Sequence, residues 1–220
     1  MSAILASPAP VLAADACGIL DLVRSQYRLE APNRLLETTL GALGGASGQP
    51  PQLHLVVFAQ VEVEVQRNLA DEQKRLKQHL RTLDNTGSVL LPAREVAVWK
   101  RALENIGQTL MRLPQTWIDA SHLVLPDAAC LSRAQQRLAA GTAPGKRGSG
   151  NVGDCVIVEH LLEMAKSLRN ANFAPSLLFV SSNIKDFGRS ALKAPLDAEF
   201  GAVGVDYLPH IEAAMVQLGY

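Results

Sequence analysis

The sequence predicts an α/β fold, namely three layers (α/β/α) around a central, mostly parallel and twisted sheet. Two observations support this prediction. Short continuous apolar runs alternate with segments of helical periodicity, the pattern of parallel strands connected by helices. These runs do not alternate apolar with polar residues, as expected for strands buried on both faces. The 220 residues, of which 48% are hydrophobic, suffice for one domain with a sizeable core.

The predicted elements follow one another along the whole chain. Residues 1–9 are expected to form a short tail that leads into the first strand. The predicted strands are Val11–Ala14, Leu53–Ala59, Leu177–Ser181 and Gly204–Leu208. One helix is predicted directly after Asp15. Five more are predicted over about 65–83, Arg94–Arg112, Asp127–Ala139, Asp154–Leu168 and Ile211–Leu218. Gly41–Pro51 is predicted to be a loop because of its glycines and prolines, and Leu123–Leu125 stays open between strand and loop.

Composition excludes several classes of protein. The chain has 21 basic and 21 acidic residues, so its net charge is zero and a globally basic coat for nucleic acid is excluded. No apolar run is long enough to span a membrane. Three widely spaced cysteines without a C-x-x-C motif fit reduced thiols in the cytoplasm. A secretory signal is not expected, because the first basic residue is Arg24 and prolines interrupt the N-terminal apolar run.

Acidic and amide side chains follow the predicted strands. Asp15 directly follows the first strand, Glu64 follows the second, Asp154 opens a helix, and Asn183 and Asp186 follow the third. Ligands of open parallel sheets bind beyond the carboxyl ends of the strands, so these residues are expected to converge. Clustered carboxylates are tolerated only if they are protonated, solvated or neutralised by a cation, and oxygen ligands suit Mg²⁺ or Mn²⁺. Taken singly, each acid could instead be a helix cap or a turn anchor.

A glycine-rich basic loop precedes Asp154. Its sequence, GTAPGKRGSGNVG, contains Lys146 and Arg147 and no acidic residue. Glycines let backbone N–H groups approach phosphate, and the two cations add positive charge beside the acidic site. The alternative is a flexible connector. The loop is not a P-loop, because no Ser or Thr follows the lysine. Lys185 extends the basic rim. The charged stretch DEQKRLKQHLR is interpreted as the solvated face of a helix.

Five segments together resemble the PIN-like domain family, in its larger subgroup. They are VLAADACGILDLV, VVFAQVEVEVQRNL, GDCVIVEHLL, FVSSNIKDF and AVGVDYLPHIEAA, which span about Pro10 to Leu218. The resemblance implies a single PIN-like domain over residues 1–220, with a helical elaboration over about 65–140, between the second strand and the third acidic motif. One position departs from the family pattern, since the usual fourth acid is Asn183.

The resemblance implies a metal-dependent endoribonuclease with an Mg²⁺ or Mn²⁺ site. Its expected substrate is RNA, with single-stranded RNA favoured over double-stranded RNA. In this interpretation Asp15, Glu64, Asp154 and Asp186 are catalytic and hold metal, and Asn183 is a further ligand. Lys146, Arg147, Ser181 and Lys185 are expected to contact the nucleic acid. Glu159 is a reserve candidate that lies about 140° around the helix from Asp154. A protein antitoxin or regulator and a homodimer stay open as partners.

Two alternative functions remain open from the sequence. A catalytically weak or inactive PIN-like module that binds RNA or protein is suggested by Asn183 in place of an acid. A haloacid-dehalogenase-like phosphatase is disfavoured, because that family needs a second aspartate where this chain has Cys17.

Overall fold

The protein contains a five-stranded sheet in which every pair of neighbouring strands is parallel. The computed structural model describes residues 1–27, 34–146, 152–188 and 192–220. The strands are β1 (Val11–Ala14), β2 (His54–Phe58), β3 (His122–Val124), β4 (Leu177–Val180) and β5 (Val205–Leu208). Their order across the sheet is β3-β2-β1-β4-β5. The α/β class predicted from the sequence is therefore confirmed.

The centre of the sheet is buried on both faces. Every residue of β1, β2 and β4 is buried. Val11 is in register with His54 on one side and with Leu177 on the other, so these strands start level with one another. All four strands predicted from apolar runs are present, and their carboxyl ends share one edge of the sheet.

Nine helices are assigned in the described residues. They are α1 (Ser2–Ala6), α2 (Ala16–Arg24), α3 (Leu35–Ser47), α4 (Ala59–Leu90), α5 (Ala93–Asp119), α6 (Ala128–Ala140), α7 (Gly153–Asn170), α8 (Ala194–Val203) and α9 (Ile211–Gln217). None of the helices in these ranges is long and apolar enough to cross a membrane.

The helices form two groups. In one group α2, α4 and α5 pack against one another, and α3 packs on α9; in the other, α7 packs on α6 and α8. Parallel strands are connected by right-handed crossovers. From β1 to β3 the chain moves towards one edge of the sheet, and from β3 to β5 it moves towards the other edge. Helices on both faces are therefore expected, which is compatible with three layers.

Three predictions about local structure are wrong. Residues 1–9 are not merely a tail, because α1 packs with Ile4 fully buried. Much of the predicted loop Gly41–Pro51 is helical, because α3 continues to Ser47. Its small residues allow close packing: a Cβ on Gly45 would lie 3.0 Å from the Tyr220 hydroxyl. The helix after β2 begins at Ala59 rather than near 65.

The expected elaboration at about 65–140 is mainly a hairpin of the two long helices α4 and α5. Gly107 of α5 lies against α4, where a Cβ would come within 2.7 Å of the Leu80 side chain. The segment also contains β3, which resolves the open assignment at Leu123–Leu125 in favour of a short strand. α5 continues through Pro114 to Asp119, because Leu113 and Trp117 anchor this end in the core.

A buried ionic network connects α6, α7 and α8. The Arg137 guanidinium contacts the Glu159 carboxylate at 2.7 Å and the Glu199 carboxylate at 2.9 Å. Arg133 contacts the other oxygen of Glu159 at 2.9 Å. Charges can be buried where they are paired and hydrogen-bonded, and this network accounts for the burial of Arg137 and Glu159.

Candidate active site at the carboxyl edge of the sheet

Asp15 and Ser181 form the buried floor of the candidate site. They directly follow the neighbouring strands β1 and β4, so the parallel register brings them together. Asp15 caps α2, where one carboxylate oxygen accepts a 2.7 Å hydrogen bond from the Gly18 backbone N–H. Its second oxygen accepts a 2.6 Å bond from the Ser181 hydroxyl. Both residues are almost completely buried.

Asn183 connects this floor to two further carboxylates. Its backbone N–H donates to the Ser181 hydroxyl oxygen at 3.1 Å. Its side-chain amide donates to Asp154 at 3.1 Å and to Asp186 at 3.0 Å. The residue that replaces the expected fourth acid therefore uses its N–H groups, rather than its oxygen, to hold the acidic cluster together.

Two carboxyls of the cluster, the buried Asp15 and the half-buried Asp154, have raised pKa values. Burial raises the pKa of Asp15 to about 7, despite the opposing hydrogen bonds from Ser181 and Gly18, and the charge of Asp154 adds to the increase. Burial also raises the pKa of Asp154 to about 6, helped by the charges of Glu64 and Asp186. Asp154 lies in the first turn of α7, as predicted. These carboxyls therefore lack full compensation for their negative charge.

Glu64 lies near the cluster but not where the sequence placed it on the helix. Because α4 begins at Ala59, Glu64 lies in the second turn rather than at the N-terminus. It is half-buried and accepts a 2.6 Å hydrogen bond from the Gln60 side chain. Its charge raises the pKa of Asp154, so the two residues belong to one electrostatic cluster.

Lys146 is a basic residue that the structure brings to the site. Its ammonium group forms an ion pair with Asp186. Burial tends to raise the pKa of Asp186, but hydrogen bonds from Lys146 and Asn183 outweigh it, and the net pKa is lowered. Lys185 is exposed, and its side chain has no ion pair in the described ranges. Arg147 lies outside the described residues.

Glu159, the reserve candidate, does not belong to the site. It faces α6, where Arg133 and Arg137 neutralise its charge. This position agrees with its expected rotation around α7 away from Asp154. Its role is in the buried ionic network of the second helical group.

Sequence reasoning missed Tyr207, which supports the site from β5. The Tyr207 hydroxyl donates towards the backbone carbonyls of Ser181 and Gly188, at 2.9 and 2.8 Å. Burial raises its pKa to about 12, and the Asp15 charge contributes to the rise. The ring stacks on Phe187, the residue after Asp186. In the strand GVDYL, residues two apart share one face, so Tyr207 lies on the same face as Val205. This alternation is the one feature of the sequence that could have identified Tyr207.

The donor set at this edge suits a hard divalent cation. Asp15, Asp154, Glu64 and Asp186 offer oxygen ligands, which Mg²⁺ and Mn²⁺ prefer. Across the described ranges, however, no three His, Cys, Asp or Glu side chains form a group arranged to hold a metal ion. The donors therefore fit such an ion in chemistry, and their side chains would need to rearrange to surround it.

Comparisons with known proteins identify no family for the chain. Neither protein-family models, nor curated proteins, nor solved structures give a match.

Proposed function

We propose that this protein is a PIN-like, metal-dependent endoribonuclease of the cytoplasm that hydrolyses phosphodiester bonds at the carboxyl edge of its sheet. One observation carries the proposal. The buried Asp15 and the half-buried Asp154 are far apart in sequence, yet their charges interact, and desolvation is the main cause that raises their pKa values to about 7 and about 6. Within the described part of the chain, neither carboxylate forms an ion pair. A bound cation would supply the missing positive charge.

The residues that would hold Mg²⁺ or Mn²⁺ are Asp15, Glu64 and Asp154, with Asp186 and the Asn183 side-chain oxygen completing the set. When bound, such an ion polarises the phosphodiester and lowers the pKa of a water molecule. The chain's own residues orient these donors. Ser181 fixes one oxygen of Asp15, and Asn183 fixes Asp154 relative to Asp186.

Lys146 would contact the substrate. Its ammonium group already lies at the cluster through Asp186, and a lysine beside a site for phosphodiesters binds phosphate as a point charge. If Asp186 becomes a metal ligand, Lys146 loses part of this attraction and is released towards a phosphate. Lys146 would therefore recognise a phosphate group, and the PIN-like resemblance is the reason for proposing RNA as the molecule that carries it.

The test is cleavage of mixed single-stranded RNA by purified protein with Mn²⁺. The critical variant is Asp15→Asn with Asp154→Asn. Its matched control is Asp127→Asn with Asp197→Asn, because Asp127 also caps a helix and Asp197 also lies in a first turn. We expect the control to cleave like wild type, and the site variant to lose at least a hundredfold in rate. Equal cleavage by wild type and the site variant would contradict the assignment.

Binding of Mn²⁺ provides a second measurement. Metal ligands must be deprotonated, so Mn²⁺ is expected to displace protons from Asp15 and Asp154 near neutral pH. Calorimetry in two buffers of different ionisation enthalpy measures this release. Binding by wild type without proton release would argue against these two carboxyls as ligands.

A second candidate is a PIN-like module that binds RNA or protein without cleaving RNA. Two contacts favour this candidate. The Asn183 amide donates to Asp154 and Asp186, and the Lys146 ammonium group pairs with Asp186. These groups occupy carboxylate oxygens that a metal ion in an active site would need. Wild-type protein that binds RNA without cleaving it, together with cleavage by Asn183→Asp, would support this candidate. Hydrolysis of small phosphomonoesters without RNA cleavage would contradict both candidates.

A further inference from the structure

The long helix α4 carries basic residues along one line of its surface. Arg67, Lys74 and Arg81 are spaced by seven residues, and Lys77 lies between the last two. Seven residues make almost two turns, so residues at this spacing drift by only about 20° around a straight helix. All four side chains are exposed. These four residues are called the basic stripe below.

The stripe has no partner within the described structure. No carboxylate of the described ranges lies within 4.0 Å of the four cationic groups. Their neighbours differ: Arg75 pairs with Glu72 at 3.2 Å, and Lys100 of α5 pairs with Asp84 at 3.8 Å. Asp71 lies on the same face as the stripe and forms no ion pair with it. The helix hairpin therefore uses some of its positive charges in internal ion pairs, and the stripe keeps a net positive charge with one acidic residue, Asp71, on the same face.

A surface depression lies along the stripe. It has a volume of about 570 Å³ and is lined by Ala70, Gln73, Lys74, Lys77, Gln78 and Arg81. Three of these residues are basic and none is acidic. Gln78 adds an amide group, whereas the Gln73 amide donates to the Met111 carbonyl at 3.3 Å. A second depression of about 340 Å³, between α4 and α5, shares Lys77 and Arg81, but Asp84 and Glu104 also line it, so its charge is mixed. The positive charges therefore line concave surface rather than projecting from an evenly convex one.

The stripe begins beside the candidate active site. Arg67 lies three residues after Glu64, a rise of about 4.5 Å along the helix axis. From Arg67 to Arg81 the helix rises by a further distance of about 21 Å. A strand held at the acidic cluster could therefore continue along α4 over several nucleotides.

We propose that the basic stripe binds the sugar–phosphate backbone of the RNA strand whose scissile bond lies at the acidic site. This inference rests on the proposed function for the identity of the strand. A regular row of cations suits the regular charge of a phosphate backbone, and backbone contacts position a strand without reading its sequence. The stripe has no aromatic residue on which bases could stack, so binding is expected to depend on salt rather than on sequence.

The experiment measures the binding of a fluorescently labelled single-stranded RNA in EDTA, where metal-dependent cleavage cannot proceed. Fluorescence anisotropy gives Kd over a series of salt concentrations. The stripe variant is Arg67→Gln with Lys74→Gln and Arg81→Gln. The matched control is Arg94→Gln with Arg101→Gln and Lys166→Gln, which removes the same charge from exposed residues of α5 and α7. Arg94 and Arg101 are also seven residues apart.

We expect the stripe variant to bind at least tenfold more weakly at low salt, and the control to stay within about threefold of wild type. Each phosphate neutralised on a single strand contributes about 0.7 to the slope of log K against log salt, so the variant's slope should fall by about 2. Equal effects in the two variants would overturn the inference. Preference of wild type for polyglutamate over RNA would also overturn it, by indicating an acidic protein partner.

A charge-conserving variant separates charge from folding. Arg67→Lys with Arg81→Lys keeps the positive charge, and we expect it to bind RNA within about threefold of wild type. Loss of binding in this variant, with its helix content intact by circular dichroism, would overturn the inference.

Failure of the inference is distinguishable from failure of the proposed function. RNA binding in EDTA that requires the stripe, without cleavage in Mn²⁺, would support the stripe and contradict the nuclease. Metal-dependent cleavage with unchanged RNA binding by the stripe variant would contradict the stripe and leave the nuclease standing.

Discussion

The Ser181 hydroxyl donates a 2.6 Å hydrogen bond to the Asp15 carboxylate across two neighbouring strands. This bond opposes the effect of burial, because it stabilises the ionised form of a carboxyl whose pKa is nevertheless raised to about 7. Ser181 therefore increases the fraction of Asp15 that is ionised at neutral pH, against the larger effect of burial. It does so from β4, without being acidic itself.

Replacing Ser181 with alanine is expected to raise the pKa of Asp15 by about one unit, because the carboxylate loses a charge-assisted hydrogen bond. A ¹³C NMR titration of the Asp15 carboxyl carbon measures this change without metal. The control is Ser182→Ala, since the neighbouring Ser182 side chain makes no hydrogen bond in the described structure. An Asp15 pKa that is unchanged in Ser181→Ala would contradict the prediction.

The raised pKa of Asp15 makes the stability of the fold depend on pH. In the unfolded chain the group ionises at its ordinary pKa of 3.8, whereas in the folded protein it ionises at about 7. Between these values the folded state retains a proton that the unfolded chain has lost. The contribution to stability is therefore complete below pH 3.8 and is lost as the pH rises to about 7.

Asp15→Asn should stabilise the protein at alkaline pH, because it removes a buried charge. One pKa unit corresponds to about 1.4 kcal/mol, and lost hydrogen bonds offset part of the gain, so we expect about 1 to 2 kcal/mol at pH 8. Urea unfolding between about pH 5 and 8 measures the difference, which should grow with pH. The exposed Asp197→Asn is the control. A variant less stable than wild type throughout would argue that the hydrogen bonds of Asp15 outweigh its burial.

The sequence sufficed to place Asp15 and Asp154, because their positions follow from the topology. A continuous apolar run marks a strand buried on both faces, and an acid directly after it, such as Asp15, must lie at the carboxyl edge of the sheet. Asp154 lies in the first turn of the helix that leads into β4, and a helix that returns the chain to the start of a parallel strand begins near the carboxyl edge. The two polar contacts of the Asn183 side chain could not be predicted. They depend on the turn that follows β4, where the Phe187 N–H donates to the Asn183 carbonyl. Whether an amide offers its oxygen or its N–H groups is decided by that geometry alone.

The prediction of a loop at Gly41–Pro51 failed because glycine content reports backbone propensity and not tertiary contacts. Gly41, Gly44 and Gly45 all lie in α3, where each glycine costs up to about 1 kcal/mol relative to alanine. The packing of α3 on α9 compensates for this cost. Similarly, Arg137 lies in a polar helical segment, and its burial depends on glutamates of two distant helices.

The buried network around Arg137 should be important for stability. Arg137→Met would leave Glu159 without its most buried partner, and breaking a buried pair costs about 3 to 5 kcal/mol. Chemical unfolding measures the loss. The control is Arg133→Met, which breaks the more exposed pair with the same glutamate and should cost about 1 kcal/mol or less.

A second variant tests the cause of this loss. Arg137→Met combined with Glu159→Leu removes both buried charges, so it should recover part of the stability lost in Arg137→Met alone. If the double variant is less stable than the single one, the loss comes from packing rather than from an uncompensated charge.

The contact between Gly87 and Trp99 should make an ordinarily favourable substitution unfavourable. In Gly87→Ala the new Cβ would lie 2.1 Å from the Trp99 indole nitrogen, so the ring would have to move. Gly44→Ala is the matched helical control, since nothing lies within 4 Å of its Cβ. We expect Gly44→Ala to stabilise the protein by about 1 kcal/mol through helix propensity. Gly87→Ala should destabilise it by about 1 to 3 kcal/mol through overpacking.

Trp99 fluorescence provides a direct reading of that displacement. In a Trp117→Phe background, Trp99 is the remaining tryptophan, because the chain has two. Its indole N–H donates to the Leu83 carbonyl at 3.4 Å and closes the hairpin of α4 and α5. Gly87→Ala should shift its emission to longer wavelength as the ring moves into water, whereas Gly44→Ala should leave the emission unchanged. A stabilised Gly87→Ala protein with unchanged emission would show that α4 and α5 are packed less closely than this contact requires.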